Sequence, residues 1–229
     1  MKRLLLMMMM AATTMMVFAQ EEGDILKETR FIGPFTKVKS SKGINVTLIE
    51  GTKDQVDINI RNASPSDVIT TLEGKLLIIK MKTMIKKGVA VTVYVTYQQL
   101  SEIQAGSGSY IDNEGVITAT NLKLDVGTES VVQLRTDVTN LNATVAAGRI
   151  EISGDATNVD LSASTGGKFN AAALAIDNAI LKVSTGGQAT VRVKNKLNAT
   201  AGSGGKIYYY GKPLITKSES LGGKVEPAE

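Results

Sequence analysis

A chain of 229 residues with 43% apolar side chains is long enough for one substantial core or for two small ones. It contains no Cys and no His, which excludes disulfides, thiolate nucleophiles, imidazole bases and the usual zinc and haem ligands. The formal charge of +4 comes from 26 basic and 22 acidic residues, too even a balance to call for a nucleic-acid partner.

Met1 to Ala19 reads as a secretory signal peptide. Lys2 and Arg3 form its basic start, Leu4 to Phe18 its apolar stretch, and Val17-Phe18-Ala19 a small-residue cleavage site before Gln20. The apolar run is short for a bilayer span and two Thr dilute it, so cleavage is favoured and no transmembrane span is expected afterwards. With no Cys after the cleavage site there is no lipobox, so no lipid anchor is expected at the new N-terminus. Losing Lys2 and Arg3 leaves 24 basic against 22 acidic residues. The expected location is the periplasm, the outer surface or the medium.

Residues 20–30 are expected to form a tail, and 31–225 one all-β domain. Between Phe31 and Thr96 apolar residues alternate with polar ones, as in Ile44, Val46, Leu48 and in Val89, Val91, Val93, Val95. Gly51, Asn62-Ala-Ser-Pro65, Gly74 and Gly88 punctuate these strands. This less regular part, 31–100, is either antiparallel or supplies the first coils of the repeat stack formed by the rest of the chain.

From 101 to 225 one phrase returns: Ser107-Gly108, Thr128-Glu129, Ala147-Gly148, Thr165-Gly166-Gly167, Thr185-Gly186-Gly187, Ser203-Gly204-Gly205 and Leu221-Gly222-Gly223. The intervals are 21, 19, 18, 20, 18 and 18 residues, a mean of 19, which signals a repeat architecture. Period-two apolar residues flank each turn, for example Leu122, Leu124, Val126 before one and Ile150, Ile152 after another. With no helical stripe between them, the repeats fit the coils of a parallel β-helix, a solenoid whose strands stack on those of the next coil.

Asn121, Asn140, Asn158 and Asn178 each precede the first inward residue of a repeat, where Lys196 then breaks the row. Stacked coils would join these amides in a ladder at a corner, which we expect to be left-handed because Asn tolerates that backbone. A polar last coil holding Pro213 and Pro227 would end the stack, and 226–229 would be a tail.

The stretch from Phe31 to Ile49, the phrase Gln104-Ala-Gly-Ser-Gly-Ser109 and the successive Thr-Gly-Gly and Ser-Gly-Gly turns resemble the "putative auto-transporter adhesin, head GIN domain" family, over roughly Phe31 to Val225. The resemblance implies a secreted or envelope protein of Bacteroidetes type with a right-handed β-helical fold and no established activity. The Thr128-Glu129-Ser130 and Ala147-Gly148-Arg149 phrases depart from the pattern by lacking the glycine pair.

The motifs carry little chemistry. Thr165-Gly-Gly-Lys168 and Ser203-Gly-Gly-Lys206 lack the glycine spacing, the Ser or Thr after Lys and the following helix of a phosphate loop. Ser107 and Ser203 lack both the nucleophile-elbow spacing and a His base, so they read as turn hydroxyls. Asp112, Glu114, Asp125, Glu129, Asp137, Glu151, Asp155 and Asp160 are scattered among the repeats. A polysaccharide lyase or hydrolase on this scaffold is the alternative reading; it should show a concave outward face with converging carboxylates and a basic residue, and hydrolysis by paired carboxylates needs the two held across a cleft. The sequence calls for no catalytic residue, metal or cofactor.

One outward feature recurs in phase: Arg149, Lys168, Gln188, Lys206 and Lys224 follow successive turns. They are either solvated cations that discourage edge pairing or a ridge that binds an anionic glycan or lipopolysaccharide. The function expected is therefore an exported, non-enzymatic adhesin or assembly module whose partner is an anionic glycan or another envelope protein.

Overall fold

Two successive outward residues set the shape of each coil. Inward positions alternate through Val132, Leu134, Thr136 and Val138, then Thr139 and Asn140 both face solvent before burial resumes at Leu141, Ala143 and Val145. A phase slip in a period-two pattern turns the strand onto a second face, so one long strand wraps a corner, skips the pair at Thr139 and resumes its ladder in the same register at Asn140. The computed structural model describes residues 24–83 and 87–228. The expected signal peptide and its cleavage site before Gln20 lie outside them.

Five strands carry the regular part: β10 (Ile117–Val126), β11 (Val131–Ala146), β12 (Arg149–Ser164), β13 (Lys168–Val183) and β14 (Gln188–Ala201). Each pairs in parallel with the next, and β14 pairs with β15 (Lys206–Tyr210) on one face and β16 (Leu214–Glu219) on the other. Strand β17 (Lys224–Pro227) closes the stack on β15, so the last strand reaches into the expected 226–229 tail. The result is a β-solenoid of about seven turns with about 19 residues between stacked strands. Leu161, Leu197 and Ile207 are fully buried and Val183 nearly so, while Lys182 and Arg192 are exposed.

The less regular N-terminal part is both coiled and antiparallel. Strands β2 (Lys37–Ser41) and β3 (Asn45–Glu50) lie parallel to β8 (Glu102–Ala105) and β9 (Tyr110–Glu114) on one side. On their other side they lie parallel to β6 (Leu76–Met81) and β7 (Ala90–Tyr97). The coil made first in the chain is thus sandwiched between two made later. Antiparallel strands finish this end: β4 (Gln55–Arg61) on β7, β1 (Ile25–Phe31) on β4, and β5 (Val68–Glu73) on β6. Strand β1 lies mostly in the segment expected to be a tail, so the folded unit begins before Phe31.

The turns, not the Asn corners, hold the left-handed backbone. Ser107, Glu129, Ala147, Thr165, Thr185, Ser203 and Leu221 all have φ between 48° and 58°. Asn121, Asn140, Asn158 and Asn178 are not among the positive-φ residues, which corrects the expected left-handed Asn corner. The phase slip alone makes that bend. Lys42, at φ 61° before Gly43, belongs to the same row, since the Gly43 amide donates to Ser107 as the Gly108 amide donates to Thr128. The series therefore starts at Ser41-Lys42-Gly43, one corner before the first phrase counted in the sequence.

The glycine pair has two separate causes. Gly186 has φ 70°, which a side chain disfavours. Gly187 has an ordinary φ, but a Cβ there would meet the Ala163 carbonyl oxygen at 2.8 Å, so the second glycine lets neighbouring coils stack. Where the pair is missing, Glu129 and Ala147 still take the left-handed position, and the corners stay in the row.

Candidate functional site

Parallel pairing converts the 19-residue spacing into rows. Arg149 is the register partner of Lys168, Lys168 of Gln188, Gln188 of Lys206 and Lys206 of Lys224. All five are exposed. Strands in register are about 4.8 Å apart, so the four cations, interrupted by the neutral Gln188, form one ridge just after the turns.

The ridge is not uniform. Arg149 Nη1 lies 3.0 Å from Glu151 Oε1, and Lys224 Nζ lies 3.7 Å from Glu226 Oε1. Among the described residues, Lys168 and Lys206 have no ion-pair partner, so the unneutralised charge sits in the middle of the ridge around Gln188.

A shallow cleft of about 350 Å³ runs beside the ridge, lined in part by Asn170, Thr190 and Tyr210. Its wall comes from an irregularity in β13, where register with β14 shifts between Ala171 and Ala175. Arg192 Nε donates to the Ala172 carbonyl at 3.0 Å, and its guanidinium stands 5.1 Å from the centre of the Tyr210 ring. These lining residues were not among the sequence candidates. The 20-residue interval between Thr165 and Thr185, longer than its 18-residue neighbours, is the signal that points to them.

The expected amide ladder is present. Asn140 Nδ2 donates to Asn121 Oδ1 at 2.9 Å, Asn158 to Asn140 at 3.0 Å, and Asn178 to Asn158 at 3.2 Å. Lys196 occupies the next rung.

The scattered carboxylates include one pair in register, Asp137 on β11 and Asp155 on β12, both exposed. They occupy neighbouring rungs of one face, whereas glycoside hydrolysis places two carboxyl groups on either side of a scissile bond. Asp112 and Glu151 each flank Gln133. No group of three or more acidic residues that could hold a metal ion occurs among the described residues, and none of their helices is long and apolar enough to cross a membrane.

Glu102 joins the two parts of the solenoid. It is the register partner of both Lys37 and Lys123, with ion pairs of 3.2 and 3.1 Å, and it accepts a hydrogen bond from Gln104 at 2.8 Å. Burial pushes its carboxyl up, but the hydrogen bonds from Gln104, Lys123 and Lys37 outweigh this and hold it below its ordinary value.

Solved structures with this architecture include a "putative adhesin" from Bacteroides fragilis NCTC 9343, with TM-score 0.76 and 19% identity over 89% of this chain and 96% of that one. Others are a "putative adhesin" from Parabacteroides distasonis ATCC 8503, at 0.70 and 19% over 90% and 98%, and one from Parabacteroides merdae ATCC 43184, at 0.67 and 19% over 90% and 97%. At that identity they show a shared fold. No curated protein matches the sequence. Residues 34–213 match a family of adhesin type, a surface or secreted class whose description names no reaction. The chain belongs to that family, described as "Putative auto-transporter adhesin, head GIN domain".

Proposed function

We propose that this chain is an exported, non-enzymatic adhesin-like module that holds an anionic glycan along the ridge of Arg149, Lys168, Lys206 and Lys224. The observation that supports it most is the unbroken register of these residues with Gln188, in which Lys168, at the edge of the Tyr210 cleft, and Lys206 have no ion-pair partner among the described residues. Repeated cations match repeated carboxylates or sulfates, and the Tyr210 ring offers an apolar face to a sugar.

Replacing all four basic residues by Gln tests the reading, because Gln keeps polarity and most of the length. The parent should retain sulfated or uronate-bearing polysaccharides more weakly as salt rises, since exposed charges are screened over about 8 Å at physiological ionic strength. The variant should fold but lose that retention. Equal retention by both would leave the row as a solubility device. Export belongs to the same proposal, with a mature N-terminus at or near Gln20; intact Met1 in an envelope fraction, read by mass spectrometry, would refute it.

A further inference from the structure

The ladder of Asn residues lines a second groove, of about 640 Å³, at the opposite corner of the coil from the ridge. Asn121, Asn140 and Asn158 are exposed and Asn178 is half-buried. None has the positive φ that commonly explains Asn at a bend, so backbone geometry does not account for the row. Thr precedes Asn in three successive coils, at Thr120, Thr139 and Thr157, which keeps those corners polar and uncharged, while Asp177 precedes Asn178 in the fourth.

We propose that this groove binds a neutral, polyhydroxylated glycan lying along the solenoid axis. Within the ladder each amide donates or accepts along the stack, leaving each Asn a second Nδ2 hydrogen and an oxygen lone pair for a ligand. The ladder fixes the amide planes in advance, so a ligand meets donors and acceptors that are already oriented. Rungs about 4.8 Å apart suit a chain whose hydroxyls recur at each sugar.

Two further features define the ligand class. Ile180 is 46% exposed although its register neighbours are Asp160 and Asn198, so one apolar side chain stands within a polar wall. The carbon-bound hydrogens of a sugar ring can pack there, which an inorganic anion cannot do. The charges lining the groove are Asp160 and Lys196, one of each sign, so nothing selects for an acidic ligand as the ridge does.

The test uses soluble cello-, chito- and xylo-oligosaccharides with the Asn side-chain amide signals observed by NMR. At least one of these neutral sugars should shift the signals of Asn121, Asn140, Asn158 and Asn178, with no dependence on salt. Ile180→Ser, which leaves the ladder untouched, and Asn158→Ala should each weaken binding, about tenfold for the loss of one or two contacts of ordinary strength. The four-Gln ridge variant should bind these sugars as the parent does, which separates this site from the ridge reading. No shift with any neutral oligosaccharide would overturn the proposal. So would binding unchanged in both Ile180→Ser and Asn158→Ala, or a shift produced only by extended peptides.

Discussion

Lys217 and Glu219 form an ion pair of 3.4 Å at two positions that every preceding regular coil fills with apolar side chains. The row that ends at Lys217 runs through Leu124, Ala143, Leu161, Leu181 and Ala199, and the row that ends at Glu219 through Val126, Val145, Ala163, Val183 and Ala201. Glu219 also accepts the Val225 amide at 2.7 Å, and this bond, outweighing desolvation, holds its carboxyl below the ordinary value together with Lys217 and Lys224. Charges at inward positions stop a further coil from stacking. Replacing Lys217 by Leu and Glu219 by Val should continue the apolar rows to the end of the coil. The double variant should self-associate more strongly than the parent in sedimentation velocity, and equal association would show that the pair does not act as a stop.

The two glycines of a turn should differ in their cost. Gly186→Ala meets open space and only the left-handed penalty, about 1–2 kcal/mol. Gly187→Ala drives a methyl group against the Ala163 carbonyl and the Ser184 carbonyl, so its cost should exceed about 3 kcal/mol. Denaturant unfolding of the two variants should keep that order.

Glu102 should stabilise the junction between the parts in a pH-dependent way. Its folded-state carboxyl lies below the ordinary value, so its contribution is present above the unfolded pKa and is lost as pH falls through the folded one. Glu102→Gln should cost about 1–3 kcal/mol near neutrality. The gap to the parent should narrow as pH drops below about 4.3. A gap that stays constant below that value would contradict the assignment.

Tyr97 presents the opposite case. Its hydroxyl is buried without a hydrogen-bond partner among the described residues, and burial, aided by the charge of Glu50, pushes its pKa up to about 12. A raised phenol keeps its stability below the unfolded pKa near 10 and loses it as pH rises toward 12. Tyr97→Phe should be no less stable than the parent at neutral pH, and it should lack the parent's decline between about pH 10 and 12. Thermal melts across that range give the answer directly.

Period and phase are legible in the sequence because each has a local cause. Inward Leu161 and Val183 follow from alternation, and the rows at Arg149 and Asn121 follow from a repeat length that parallel register preserves. The Asn corner departs from expectation because a ladder and a left-handed turn favour the same residue type, and only backbone angles separate them. The order of coils at the N-terminal end is hidden because β2 and β3 find partners both before and after them in space, a choice that no local pattern encodes. The cleft by Tyr210 is equally hidden because it arises from a register shift in β13, which in sequence is only a longer interval.

A ridge that holds an anionic glycan should bind it through the unneutralised middle, Lys168 and Lys206. Two double variants separate this from general attraction to positive charge: Lys168→Gln with Lys206→Gln, and Arg149→Gln with Lys224→Gln. Both remove the same formal charge, but the second pair of residues is already tied to Glu151 and Glu226. Affinity for a sulfated polysaccharide, measured by calorimetry at fixed salt, should fall by about tenfold or more in the first variant and by clearly less in the second. Equal losses, or a greater loss in the second, would show that Lys168 and Lys206 are not where the ridge binds.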